Sequence, residues 1–130
     1  MTILKAHTMN IIPSMRCSDM KRSLDFYTTV LDFKHHGTWP DTGSPSYSIL
    51  SREGAELHLS SYSGDGTFGN VACILIQNID QLFQQYVARG LNAKAKRDSP
   101  VHQGPTDQTW GTREFYVDDP DGNTLRFVQR

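Results

Sequence analysis

Cysteine is scarce in this sequence, with two residues in 130, Cys17 and Cys73. Two thiols do not make the disulfide framework of a stapled secreted domain, and they are expected to be reduced and buried. Charge of one sign is missing too. Thirteen Lys and Arg against fourteen Asp and Glu give a formal charge of −1. That leaves no basic footprint for nucleic acid and argues against strong steering of a charged ligand. No apolar run approaches the roughly 20 residues of a membrane span. The opening "MTILKAHTMNIIP" has one lysine and no long apolar core. It does not read as a secretory signal, and a cytoplasmic chain with no membrane partner is expected. What is present is an ordinary globular composition, on a chain long enough to bury a core without staples.

The chain is written twice. "MRCSDMKRSLDFYTTVL" and "ILIQNIDQLFQQYVARG" align at an offset of 59, pairing Met15 with Ile74, Leu24 with Phe83 and Tyr27 with Tyr86. In each copy an apolar strand runs through a polar break into a helix with one apolar face. Ser18 or Asp19 can cap the first helix, and Asn78 with Gln81 resembles a capping box for the second. Gly90 stands where the second helix should stop. A second alignment pairs "YSILSREGAELHL" with "FYVDDPDGNTLRF" at an offset of 68, with Gly54 on Gly122 and His58 on Arg126. Both read as hairpins, the second turning at Asp119-Pro120-Asp121-Gly122. Each half thus reads strand, helix, then about three strands. The expected fold is α+β: two pseudo-repeated βαβββ modules, curved mixed sheets around a concave pocket, in one domain over 1–130. The repeats span about 9–62 and 69–130, joined by the linker "SGDGTFGN".

Strand alternation divides the side chains between two faces. In the last hairpin Phe115, Val117, Leu125 and Phe127 form a packed face, leaving Glu114, Tyr116, Thr124, Arg126 and Val128 on the open one. In the first half Tyr47, Ile49, Leu57 and Leu59 are expected to pack, with Ser46, Ser48, Glu56, His58 and Ser60 open. The leading strands should present Ile12, Ser14 and Arg16, and Val71, Cys73 and Leu75. Cys17 then points away from Cys73, against a bridge between them.

These paired halves, "SDMKRSLDFYTTVLDF" and above all "WGTREFYVDDPDGNTLRF" resemble the vicinal oxygen chelate superfamily, which holds glyoxalase I, extradiol dioxygenases and bleomycin-resistance proteins. The resemblance covers essentially the whole chain. In metal-using members, His or Glu ligands occupy four pseudo-symmetric strand positions. Those positions here are Ile12, His58, Val71 and Arg126. Two are hydrocarbon, and a guanidinium neither deprotonates nor tolerates a divalent cation beside it. His58 with Glu56 falls short of a three-ligand catalytic site. His7, His35, His36 and His102 show no ligand spacing. The resemblance therefore implies no metal and no other cofactor.

Within the superfamily the chain is most similar to the bleomycin-resistance branch. Pro13 in "IIPSM", "ELHLSS" and "WGTREF…DPDGN" are the matching segments. That likeness implies a homodimer intertwined by strand exchange, for which a strand proline is a weak physical reason. It implies stoichiometric sequestration of a planar or glycopeptide-type small molecule, without catalytic residues. Trp110, Trp39 and Tyr116 would stack on the ligand. Glu56, Glu114, Ser48, Ser60 and His58 would hydrogen-bond to it, and Arg126 would bind an anion or pair with Glu114 or Glu56. On physical grounds alone Trp110 reads equally as a lid over the hairpin edge or as a stacking wall. The alternative function is a metal-dependent lyase or dioxygenase of the same fold. Ser60, Ser61 and Ser63 lie in no nucleophile elbow, and the glycines of the linker lack the Lys-Ser/Thr of a phosphate loop.

Overall fold

The computed structural model describes residues 9–130. The reading of the extreme N-terminus, and His7, lie outside them. The first half runs β1 (Ser14–Arg16), α1 (Met20–Asp25), a π-helical turn (Phe26–Val30), β2 (Lys34–Trp39), β3 (Tyr47–Arg52) and β4 (Ala55–Ser60). The second runs β5 (Val71–Leu75), α2 (Ile79–Ala88), α3 (Pro100–Gln103), β6 (Thr106–Asp107), β7 (Arg113–Asp118) and β8 (Thr124–Gln129). The sheets have matching orders, β1-β4-β3-β2 and β5-β8-β7-β6. In each, the leading strand pairs parallel with the last, and the other pairs are antiparallel. This is the α+β duplication that the two alignments imply, with the short α3 added in the second half.

Local chemistry explains the element ends. Asp19, rather than Ser18, caps α1 by accepting from Arg22 N at 3.1 Å. Ser18 instead donates to Asp121 at 2.6 Å, across the molecule. The expected box at α2 does not form. Asn78 sits at φ 57 and makes no side-chain cap. The orphan N–H of Ile79 is met by Gln129 Oε1 of β8 at 2.9 Å. A side chain fifty residues away satisfies the helix end, which no local pattern could announce. Pro13 supplies no N–H to the ladder, but its carbonyl accepts from His58 N at 2.9 Å, just before β1 begins.

The helices cover one face of each sheet. Tyr27, Leu31 and Phe33 lie in the core with Leu50, Leu57 and Leu59, and Ile79, Leu82 and Tyr86 with Phe115, Leu125 and Phe127. Phe115 stacks on Phe127 at 4.8 Å, and Tyr86 meets Phe127 edge-on at 5.5 Å. Each such buried ring contributes about 2–3 kcal/mol by removal from water, and ring pairs add about 1 kcal/mol.

The two hairpins differ in a way that decides the site. In the C-terminal one, Phe115 lies opposite Phe127 and Val117 opposite Leu125, as expected. In the first, Glu53 and Gly54 both have positive φ, the requirement of a two-residue type I′ turn. Arg52 then pairs with Ala55, Leu50 with Leu57, Ser48 with Leu59 and Ile49 with His58. The expected faces of β3 are therefore exchanged. Ser46, Ser48 and Leu50 are buried on the helix side, while Tyr47 and Ile49 turn to the open face.

The terminal turn also ties the halves together. Tyr27 of the first half donates to Asp119 Oδ2 at 2.8 Å. Asp119 Oδ1 accepts from Asp121 N and Asn123 N, both at 2.9 Å. Asn123 donates to the Arg16 carbonyl at 2.9 Å and accepts from Gly69 N and Asn70 N at 3.0 Å. Cys17 is buried, and burial pushes its thiol up to about 11. Cys73 is exposed, where burial was expected, and lies beside Arg126 on the open face to which strand alternation assigned it. Among the described residues no helix is long and apolar enough to cross a membrane.

Candidate functional site

The face turned away from the helices carries the polar residues. On the second sheet, register places Val71, Cys73 and Leu75 of β5 beside Thr124, Arg126 and Val128 of β8, and these beside Asp118, Tyr116 and Glu114 of β7. On the first, Ser14 and Arg16 of β1 flank His58 and Ser60 of β4, with Glu56 two residues from His58. Ile49, Tyr47 and Trp39 continue the same face outward.

Glu114 is the hub of the second sheet. It is only 1 % exposed, and each carboxylate oxygen takes two donors. Oε1 accepts from Arg126 at 2.8 Å and Tyr116 OH at 3.0 Å. Oε2 accepts from Thr112 at 2.5 Å and Trp110 Nε1 at 3.2 Å. Burial by itself would raise this carboxyl. Hydrogen bonds from Arg126, Thr112, Tyr116 and Trp110 outweigh it and hold the group at about 2. Ionised Glu114 reciprocally favours the charged form of Arg126, whose guanidinium lies 5.0 Å from the Tyr116 ring centroid. A carboxylate has about four acceptor sites, and all are used. Glu114 thus organises the wall instead of offering hydrogen bonds from it, which corrects its expected role as a ligand contact. Trp110 has its N–H tethered, yet it is 65 % exposed. Its ring is presented outward from a fixed edge.

The first sheet carries a second chain of polar groups. His58 Nε2 meets Glu56 Oε2 at 2.6 Å, and Nδ1 meets Tyr47 OH at 2.6 Å. Both imidazole nitrogens are occupied within the face. Trp39 is 55 % exposed at the outer strand, and its ring lies over Gly37, where a Cβ would come within 2.7 Å of it. Ser60 is fully buried, donates to Asp65 Oδ2 at 2.6 Å and accepts from Tyr62 N at 3.2 Å. Its hydroxyl is spent on its own loop. Ser48 lies on the far side of the sheet, bonded to Thr38 at 2.7 Å and Met20 at 3.2 Å, so it does not line the open face.

Thus Trp110, Tyr116, Arg126 and Glu114 come together on one sheet, and Trp39, His58 and Glu56 share the open face of the other. Sequence reasoning missed Tyr47 because it gave β3 the wrong face, and Thr112 because nothing in a loop threonine announces a buried carboxylate two residues on. The "EG" at positions 53 and 54 was the available signal for the β3 register.

The positions that the family resemblance assigns to metal ligands are Ile12, His58, Val71 and Arg126. Ile12 and Val71 have no lone pair. Arg126 places a permanent cation there, bonded to Glu114, and Glu114 itself has no free acceptor site. Among the described residues no three His, Cys, Asp or Glu side chains gather as a metal-binding group. This donor set does not fit a catalytic metal.

Comparison with known proteins gives a consistent family. The model described as the Glyoxalase/Bleomycin resistance protein/Dioxygenase superfamily matches residues 6–127. A bleomycin resistance protein from Geobacillus stearothermophilus is 27 % identical over 141 aligned residues, covering 92 % of this chain and 95 % of that protein. Among solved structures, a bleomycin resistance determinant encoded on the transposon Tn5 superimposes with a TM-score of 0.73 at 21 % identity, covering 95 % of this chain and 98 % of that one. The bleomycin-binding protein of Streptomyces verticillus complexed with copper(II)-bleomycin gives a TM-score of 0.71 at 20 % identity, covering 96 % and 98 %. At these identities the structural matches speak for the fold.

Proposed function

The chain belongs to the glyoxalase/bleomycin resistance protein/dioxygenase superfamily, and from that premise we propose that it binds bleomycin or a similar planar or glycopeptide-type small molecule and acts by sequestration. One observation carries the reading. The seat that would complete a metal centre holds Arg126, bonded at 2.8 Å to the carboxylate that also tethers the Trp110 indole. The group that would grip an ion is replaced by one that orders aromatic walls. An ordered, exposed indole loses little freedom when a flat ligand stacks on it. Trp39 and Tyr116 extend the aromatic surface, while Glu56 and the remaining N–H groups of Arg126 supply polar contacts, and His58, bonded at both ring nitrogens, holds Glu56 and Tyr47 in place. Holding a toxic ligand one-to-one requires no bond breaking and therefore no metal.

The reading includes a homodimer. Ile11, Ile12, Val71 and Leu75 are exposed, and Ile11, Ile12 and Leu75 line a cleft of about 380 Å³. Burying such a surface against a second copy would remove it from water. Size-exclusion chromatography with light scattering is expected to give twice the chain mass.

Isothermal titration of the metal-analysed protein with bleomycin is the test of function. Saturable binding is expected, with the drug recovered chemically unchanged. Trp110→Ala should weaken binding about tenfold or more, about 1.4 kcal/mol. Undetectable binding, or a drug altered in proportion to bound metal, would refute sequestration.

A further inference from the structure

The geometry points to a second chemistry at the edge of the open face: Ser99, His102 and Asp118 form a nucleophile, base and orienting carboxylate that accepts acyl groups from small activated esters. Ser99 Oγ lies 2.7 Å from His102 Nδ1, and His102 Nε2 lies 3.0 Å from Asp118 Oδ1. A nucleophile within hydrogen-bonding reach of a base, itself oriented by a third group, is the signature of activated serine chemistry, recognised by roles and geometry instead of sequence order.

The direction of the hydrogen bonds follows from the carboxylate. Burial alone would raise Asp118, but bonds from Lys96, His102 and Thr124 outweigh it and keep the carboxyl below its ordinary value. An ionised carboxylate only accepts. The neutral imidazole of His102 then carries its hydrogen on Nε2, facing Asp118, and presents the Nδ1 lone pair to Ser99. Ser99 is the group that faces it, so its hydroxyl donates. Ser99 precedes α3, where a serine would ordinarily spend its oxygen on a backbone N–H. No such cap bond is made here, and the hydroxyl is committed to the imidazole. Tyr116, a wall of the open face, holds the His102 ring edge-on at 5.7 Å. Ser99 itself is half-buried and reachable.

The step balances without redox change. Ser99 Oγ attacks the ester carbonyl carbon and its proton passes to His102 Nδ1. The bond to the leaving oxygen breaks, and that oxygen departs with the proton from His102. The acyl group remains on Ser99 until water removes it by the same route. His102 and Ser99 touch the reacting atoms, whereas Asp118 is a positioning residue. No group is assigned to the developing oxyanion, so one slow acylation per chain is expected instead of rapid turnover. This chemistry is independent of drug binding.

The intact protein treated with a fluorophosphonate probe provides the test. Oγ attacks phosphorus, fluoride leaves, and the proton goes to His102. Mass spectrometry is expected to find one adduct per chain, on Ser99, absent from Ser99→Ala. The labelling rate should fall at least tenfold in His102→Gln and in Asp118→Asn, with partial recovery in Asp118→Glu. A purely structural chain would change the melting of these variants, but wild type would then carry no adduct to lose. No adduct, an adduct on another residue, or undiminished labelling in His102→Gln overturns the proposal. Because bleomycin titration reads the tryptophan-lined face separately, failure of either test leaves the other standing.

Discussion

Glu114→Gln asks whether a buried charge organises the open face. In the folded protein the carboxyl stands at about 2, against an ordinary 4.5. That gap corresponds to about 3 kcal/mol of stability, to order of magnitude. A glutamine fills the same volume but leaves Arg126 without its counter-charge, and its amide nitrogen meets donors where Oε1 or Oε2 accepted. The depressed carboxyl stabilises the fold fully above its ordinary value, and the contribution fades as pH falls through about 2. Urea denaturation at about pH 7 should therefore show Glu114→Gln weaker than wild type by about 3 kcal/mol, with Tm lower by about 10 °C. As the buffer is taken from about pH 5 towards about pH 2, the two curves should converge. Equal stability at neutral pH would refute the charged hub. A gap independent of pH would show that shape, and not charge, holds the site.

Two tyrosines, both fully buried, should respond oppositely to loss of a hydroxyl. Tyr27 donates to Asp119 at 2.8 Å across the two halves, so Tyr27→Phe should cost about 1–2 kcal/mol in chemical denaturation. Among the described residues Tyr86 OH has no hydrogen-bond partner, so Tyr86→Phe should be neutral or stabilising by up to about 1 kcal/mol. A loss of stability at Tyr86 matching that at Tyr27 would contradict the hydrogen-bond assignment.

Much of the architecture was legible because it is local. The register of β7 and β8 follows from the turn at 119–122, and with it the face carrying Arg126, Glu114 and Tyr116. The family resemblance, with His58 aligned on Arg126, implied that Arg126 stands where metal-using members carry a ligand. The face of β3 was not, because "YSILSR" alternates ambiguously: Tyr47 and Ile49 look as fit for the core as Leu50. A two-residue turn fixed the register, and a one-residue difference in phase exchanges every side chain between faces.

Sequence by itself determined the doubled βαβββ plan, the packed face of the C-terminal hairpin and the chemical identity of the four family seats. The first two rest on periodicity and turn chemistry, which act over a few residues, and the seats on the family resemblance. Tertiary structure alone decided how the polar groups are spent: all of Glu114's acceptor sites are filled by its neighbours, Gln129 caps a helix fifty residues away, and Asp118 meets His102 and, through it, Ser99. Buried polar groups must find partners wherever the packed chain brings them, and that proximity is set by the assembled core.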